Sequence, residues 1–330
     1  MSLKKNNKDD QAIRSALQSA ERIALFSHIH PDGDAIGAQL GLAAVLRAMG
    51  KEVAIYNQTG QPGTFAFLPG MADLRHWGED DFSADLRVAL DCGNLDRLGL
   101  SEAEWQADQR ISIDHHMGHE PFSDLNYVDA EAPATCAILA DFCRNWNFPV
   151  SADAATCFLT GLHTDTGSFR FEKTKAETFQ TAGWLMEKGA DLSAIRYHVF
   201  ESTSQTRFQL LNAMYQSSEF LSDGHIAIAE ITYAQMLNLG VNDDEVHGLV
   251  GQLKEVQGVE LSILLRELSS GAIKVSLRSK QYLDCNRLAS EFNGGGHVRA
   301  AGCTLHSSLQ EARQTLLAAA ARHLKEDLPS

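Results

Sequence analysis

The sequence predicts an α/β protein, a parallel Rossmann-like sheet domain followed by a smaller α+β domain with a mixed sheet, and three observations carry that prediction. The first half alternates apolar runs of strand length with helical stretches. Several of those runs are almost continuously apolar, as strands covered on both faces must be. Past residue 200 the texture changes, and a chain of 330 residues exceeds the size at which one hydrophobic core usually stops growing. The expected division is a catalytic domain over 1–200, a helical connector over 201–220 and a substrate-binding domain over 221–330.

In order along the chain, the predicted strands of the first domain are Arg22–Ser27, Glu52–Asn57, Arg87–Asp91, Arg110–Asp114 and Leu125–Asp129. Helical patterns cover Ala35–Met49, closed by Gly50, then Thr135–Asn145, Ala152–Thr164, Lys175–Lys188, closed by Gly189, and Leu192–Phe200. A polar-flanked helical pattern over Thr203–Ser218 reads as the connector. The second domain has predicted strands His225–Ile231, Val259–Glu267 and Ala272–Leu277, with helices near Asp243–Leu253, Asp284–Asn293 and Leu309–Lys325. Three consecutive glycines at 294–296 interrupt it, where a regular element would not tolerate their backbone entropy without a reason.

Composition narrows the function. With 28 basic against 43 acidic residues the formal charge is −15, which disfavours gripping long nucleic acid through many phosphates but leaves short nucleotides as ligands. Residues 1–10 are polar with mixed charge, and no apolar run is long enough to cross a bilayer, so a cytoplasmic protein without membrane contact is expected. Cys92, Cys136, Cys143, Cys157, Cys285 and Cys303 form no CxxC pair and read as buried free thiols in a reducing compartment.

In open parallel sheets ligands collect outside the carboxyl ends of strands, and His28, Asp91 and Asp114 each stand at such an end. His28, Asp32 and Asp34 project an imidazole and two carboxylates from one loop, stiffened by Pro31 and allowed tight turns by Gly33 and Gly37. The alternative is a solvated turn in which Asp34 caps the next helix. Asp91 either bridges two cations or simply opens the turn Cys92-Gly93-Asn94. In Asp114-His115-His116, adjacent histidines of an extended segment point opposite ways, so one coordinates while the other faces substrate. Asp165 ends an apolar helix, where its charge opposes the helix dipole unless a cation compensates it. The amides of Gly294–Gly296 can form an anion-binding nest, with Arg278, His297 and Arg299 as further donors, the alternative being a flexible loop. Phe169, Phe171 and Tyr282 read as core residues, with stacking on a base as the alternative.

Taken in this order, these motifs resemble the four N-terminal motifs of the DHH phosphoesterase superfamily, and Gly294-Gly295-Gly296-His297-Val298-Arg299-Ala300-Ala301-Gly302 resembles the signature of its associated C-terminal domain. The resemblance covers nearly the whole chain, and the Leu277-Arg278-Ser279 and GGGHVRAAG tracts are most similar to the NrnA type of oligoribonuclease and adenosine-3′,5′-bisphosphate phosphatase. It implies one metal held by His28, Asp32 and Asp91 and a second held by Asp34, Asp91, His115 and Asp165, with Asp91 bridging. It further implies catalysis by Asp91 and His116, substrate binding by Arg278, Ser279, Gly295, Gly296, His297 and Arg299, and it suggests a homodimer. His30 stands where relatives often have Asn, and Ala38 where Ser is common; His30 reads as an exposed loop residue, with substrate contact as the alternative.

Two imidazoles and four carboxylates without a thiolate make a hard shell suited to Mn²⁺, with Mg²⁺ or Co²⁺ as substitutes. Four carboxylates already cancel two dications, so an anionic phosphate needs further positive groups, which the C-terminal tract offers. The expected reaction is hydrolysis of very short oligonucleotides or linear dinucleotides (pApA, pGpG) to mononucleotides, or removal of the 3′-phosphate of adenosine 3′,5′-bisphosphate, by water activated between two metals. His116 would steady the phosphoryl oxygens or protonate the leaving oxygen, and closure of one domain over the other would complete the site. Rival readings are a RecJ-like single-strand exonuclease and a nucleotide sensor that binds without hydrolysis.

Overall fold

Strands without a polar face must be covered on both sides, and the first sheet is built that way. In the computed structural model, which describes residues 8–327 apart from 81, 242 and 247, the unit Met1–Ser202 contains β1 (Arg22–Ser27), β2 (Glu52–Tyr56), β3 (Leu74–Arg75), β4 (Leu86–Leu90), β5 (Gln109–Asp114) and β6 (Leu125–Val128). All pair in parallel in the order β3-β2-β1-β4-β5-β6. Ile23, Leu25, Val88 and Leu90 point into a helix-covered core. Their neighbours Ala24, Phe26 and Ala89 point the other way, into a cluster roofed by Trp105, Leu98 and Leu100 from the loops. The strand order turns outward in both directions from β1 and β4, where Ser27 and Leu90 pair in register. His28 and Asp91 are the next residues, so both stand at the topological switch point.

The helices of this unit are α1 (Lys8–Ser19), α2 (Gly33–Ala48), α3 (Thr135–Trp146), α4 (Ala152–Asp165), α5 (Ala176–Glu187) and α6 (Leu192–Ile195), the last continuing into a wide π-type turn over Arg196–Phe200. Helix α1, which the sequence pattern did not single out, buries Ile13, Ala16 and Leu17 at helical spacing. Helix α2 starts earlier than expected because Asp32, not Asp34, caps it: Asp32 Oδ1 accepts the amides of Asp34 at 3.0 Å and Ala35 at 3.1 Å. Gly33 and Gly37 therefore lie inside a helix and make no turn. With Gly41 they form a stripe against α4, where an added Cβ would come within 2.4 Å of Thr164 Oγ1, 2.4 Å of the Cys157 carbonyl and 2.5 Å of the Phe158 ring. Their smallness lets two helices approach closely. Phe169 packs on the core edge, as read from sequence, whereas Phe171 lies over Gly167 and is 52% exposed.

The unit Thr203–Ser330 comprises α7 (Gln205–Gln216), β7 (Glu219–Leu221), β8 (Ile226–Ile231), α8 (Tyr233–Leu239), α9 (Asp243–Val246), α10 (Leu249–Lys254), β9 (Leu261–Glu267), β10 (Ile273–Ser279), α11 (Cys285–Ser290), β11 (Gly295–His297), β12 (Ala300–Leu305) and α12 (Leu309–Glu326). Its sheet runs β11-β12-β10-β9-β8-β7, antiparallel except between β8 and β9, which is the mixed sheet predicted. Helix α7 buries Leu210 and Met214 in the core of this unit. The helix expected over Asp243–Leu253 is divided, with Gly248 at φ 80. Tyr282 packs against the core under the other face of the sheet.

The triglycine tract does not interrupt regular structure; it makes some. Gly295 and Gly296 pair with Gly302 and Ala301 as the two strands of a hairpin. A Cβ on Gly294 would meet the Gly302 carbonyl at 2.3 Å, and one on Gly296, which has φ +149, would meet the Ala300 carbonyl at 2.5 Å. Close backbone approach demands the glycines. All six cysteines are buried and unpaired, and no helix among the described residues is long and apolar enough to cross a membrane.

Candidate metal centre

A buried polar lattice aims the first histidine. Ser27 Oγ donates to Gln39 Oε1 at 2.7 Å, Gln39 Nε2 donates to the carbonyls of Leu25 and Tyr56, and Asn57 Nδ2 donates to Ser27 Oγ and the His28 carbonyl, both at 2.9 Å. These bonds tie the ends of β1 and β2 to α2. His28 Nδ1 donates to the Ile29 carbonyl at 2.8 Å, which turns Nε2 towards Asp91 Oδ2 at 3.6 Å and Asp32 Oδ1 at 3.9 Å. His30 is exposed, and its amide donates to Thr59 Oγ1.

Asp91 sits at the centre with φ 56, a left-handed conformation that costs a non-glycine residue about 1–2 kcal/mol and that Asp tolerates better than most. That bend turns its carboxylate into the cluster. Oδ1 accepts from Thr135 Oγ1 at 3.0 Å and lies 3.6 Å from His115 Nε2. Thr135 opens α3, whose cap position is Ala134 and has no side-chain oxygen to offer. Asp34 supplies the cap from α2: Oδ2 accepts the Thr135 amide at 2.6 Å and Oδ1 the Cys136 amide at 2.9 Å.

His115 and His116 do not point opposite ways, as an extended segment would require. β5 ends at Asp114, whose Oδ1 accepts the amides of His115 at 2.8 Å and His116 at 3.3 Å, an Asx-type turn that curls both rings to one side. The rings lie 4.8 Å apart, with His115 Nε2 and His116 Nδ1 at 3.6 and 3.7 Å from Asp91 Oδ1. Their roles still separate. His115 Nδ1 donates to the Ala132 carbonyl at 3.2 Å, leaving Nε2 towards Asp165 at 3.3 Å and Asp34 at 3.9 Å. His116 commits Nδ1 to Asp114 Oδ1 at 2.7 Å.

The electrostatics fit a cation pair. Burial, then the neighbouring charges of Asp91 and Asp165, push Asp34 well above the usual carboxylate range. Burial, then Asp32 and Asp91, push Asp165 up to about 8. Burial acts upward on Asp91 too, but its bond with His28 and the nearby His115 and His116 outweigh it and hold the group low. Burial keeps His115 below the usual imidazole range, in its neutral ligating form. Two buried imidazoles with Nδ1 tied to carbonyls present Nε2 to crowded carboxylates, the arrangement by which proteins orient metal ligands. His28, Asp32 and Asp91 offer donor atoms within 4.8 Å of one another, as do Asp34, His115 and Asp165. With no thiolate and mostly oxygen donors, these residues suit divalent cations.

Sequence reasoning missed three groups. His119, 3% exposed in its side chain, lies with Nδ1 2.8 Å from Asp114 Oδ2. Half-buried Lys173 acts electrostatically on His115 and Asp165. In the second unit, Lys254 feels Arg278 and Lys280, its ammonium held below the usual range by burial and then by those two cations. None carries a spacing signal that marks it in advance.

The residues expected to bind substrate gather at one end of the second sheet. Arg278 pairs with Ala300, which pairs with His297, so the three lie in one row on one face. Ser279 is buried, with its amide donating to the Arg299 carbonyl at 3.1 Å, while Gly295, Gly296, His297 and Arg299 are exposed. The nest expected from all three glycines is smaller than read, because the Gly294 amide is spent on the Ala289 carbonyl at 3.0 Å.

Fold and site together define a phosphoesterase that gathers its histidines and aspartates at the carboxyl edge of a parallel sheet. The description "DHH family, N-terminal domain" matches residues 22–162 and "DHHA1 domain" matches residues 224–326. The chain is similar to the bifunctional oligoribonuclease and PAP phosphatase NrnA of Thermus thermophilus, 32% identical over 92% of this chain and 90% of the relative, and to that of Bacillus subtilis, 26% identical over 87% and 90%. Among solved structures it is similar to an exopolyphosphatase-related protein from Bacteroides fragilis, with a TM-score of 0.92 and 27% identity over 98% of each chain. The chain belongs to the DHH family.

Proposed function

We propose that this enzyme is a manganese-dependent phosphoesterase that hydrolyses very short oligonucleotides or linear dinucleotides such as pApA and pGpG to mononucleotides, and removes the 3′-phosphate of adenosine 3′,5′-bisphosphate. The observation that carries this reading is Asp91, at 1% exposure and in a left-handed conformation, lying between His28 on one side and His115 on the other. His28, Asp32 and Asp91 would hold one cation, and Asp34, Asp91, His115 and Asp165 the second. When bound, the two cations supply Lewis-acid activation of water and of the phosphoryl group.

The remaining steps belong to side chains. Asp114 Oδ1 accepts from His116 Nδ1–H at 2.7 Å, so the proton that His116 would donate towards the phosphoryl or leaving oxygen is a second one, carried on Nε2 of the imidazolium. In the hydrolysis a water oxygen bonds to phosphorus, the bond from phosphorus to the sugar oxygen breaks, and a proton ends on that oxygen. Arg278, His297 and Arg299, with Ser279, Gly295 and Gly296, take a second phosphate, the arginines offering forked donors. The acidic net charge of −15 disfavours long strands and so supports substrates a few nucleotides long. The buried, unpaired thiols support a cytoplasmic setting.

Asp91→Asn tests the reading. Asn adopts the same left-handed backbone and can accept from Thr135, so the fold survives while manganese-supported cleavage of pApA and of the bisphosphate falls by at least about a hundredfold. Full activity in that variant overturns the assignment. Steady processive digestion of long single strands by the wild-type chain would favour an exonuclease of the RecJ kind, and tight nucleotide binding without turnover would favour a sensor.

A further inference from the structure

We infer that His119 is a positioning residue for His116, acting through Asp114; the role rests on the proposed phosphoesterase reaction. Asp114 is fully buried, and its two oxygens face different partners. Oδ1 holds the turn and His116 Nδ1 at 2.7 Å, while Oδ2 takes His119 Nδ1 at 2.8 Å. The His119 ring is itself fixed on three sides. Its Nε2 lies 3.3 Å from Ser112 Oγ, Ser112 Oγ donates to Asn126 Oδ1 at 3.0 Å, and the ring tilts against Phe122 with centroids 5.7 Å apart. Ser112 belongs to β5 and pairs with Asn126 on β6. The chain Asn126–Ser112–His119–Asp114–His116 thus anchors a ring beside Asp91 to two strands of the sheet.

A buried carboxylate is held most firmly against rotation when both of its oxygens are engaged. Without His119, Asp114 can swing Oδ1 away from His116 to satisfy Oδ2, and His116 then loses the acceptor that selects its Nδ1–H tautomer. The contacts described for His119 run to Asp114, Ser112 and Phe122, none of which is a candidate cation ligand. Its effect should therefore appear in the rate of the bond-breaking step, with little change in binding.

The distinguishing experiment uses geometry. The amide nitrogen of Asn occupies the place of histidine Nδ1, whereas that of Gln reaches the place of Nε2. His119→Ala is expected to lower kcat on pApA by about tenfold to a hundredfold, with KM and calorimetric Mn²⁺ affinity changed by less than about twofold. His119→Asn should restore most of kcat and His119→Gln should not. Should the Ala variant fail to fold, the Asn and Gln variants decide. Equal rates for Asn and Gln, or wild-type kcat in Ala, overturn the inference. Ring-nitrogen NMR of the metal-free chain keeps it separate from the functional reading: His116 should be a single Nδ1–H tautomer in wild type and in the Asn variant, and mixed in the Ala and Gln variants. If the wild type cleaves none of these substrates, the functional reading fails and this spectrum alone decides the role of His119; a single tautomer in all four proteins rejects it.

Discussion

The carboxylate of Asp34, in the first turn of α2, accepts the backbone amide of Thr135, the first residue of α3, at 2.6 Å across 101 residues of sequence. One side chain therefore caps a helix it does not belong to and stands 3.9 Å from His115. Asp34→Asn keeps a single acceptor and turns an amide NH₂ towards the other backbone donor. We expect a loss of about 1–2 kcal/mol in urea unfolding of the metal-free chain, together with loss of the second cation in calorimetric titration. Unchanged stability would show that the cap is not held in solution.

The crowded carboxylates make stability depend on pH in a predictable direction. Asp165, pushed up to about 8 by burial and then by Asp32 and Asp91, binds a proton in the folded chain where the unfolded chain, with its carboxyl near the ordinary 3.8, has released it. Asp34 is shifted the same way. A raised carboxyl contributes its full stability below the unfolded value and loses it as pH climbs towards the folded one. The Tm of the metal-free chain should thus fall between about pH 5 and pH 8, and the rise in Tm on adding Mn²⁺ should grow over the same window, since cations compete with protons. Asp165→Asn should flatten both slopes; a metal-free Tm that climbs through this window contradicts the placement.

The sheet of the first unit was legible because strands such as Arg22–Ser27 have no polar face and end in His or Asp where a parallel sheet binds ligands. Contacts across long stretches of chain were not. Gly33 and Gly37 look like turn residues until Thr164 and Cys157 are known to lie against them. The common side of His115 and His116 depends on Asp114 folding back on their amides, a local bond that no period reveals. His119 sits in a loop, where spacing carries no information, and the hairpin of Gly295 and Gly296 is defined by its partner Gly302.

Gly161 of α4 makes the packing argument testable at the site itself. A Cβ there would lie 2.3 Å from Cys136 Sγ and 2.7 Å from Asp34 Oδ1. Gly161→Ala must therefore move α4, the Cys136 side chain of α3 or the Asp34 carboxylate, although Ala is the better helix former. Overpacking of this kind costs about 1–3 kcal/mol, and we expect a matching drop in thermal stability with weaker binding of the second cation. Improved stability, as helix propensity alone would give, would mean that the two helices can separate freely.

Lys173 offers a test in which two measurements should move in opposite directions. The side chain is half-buried, lines a cavity of about 230 Å³ with Ala132, whose carbonyl holds His115, and exerts its positive charge on His115 and Asp165. Such a charge repels cations but attracts phosphate, and four carboxylates around the two proposed dications would leave no net positive charge for the substrate. Lys173→Ala should raise KM for pApA by about tenfold, roughly 1.4 kcal/mol, and flatten the salt dependence of kcat/KM. The same variant should bind Mn²⁺ at least as tightly as wild type, because a repulsive charge has gone, and Lys173→Arg should keep the wild-type KM. A parallel loss of Mn²⁺ affinity and substrate affinity would mean that Lys173 supports the structure of the centre and does not attract its substrate.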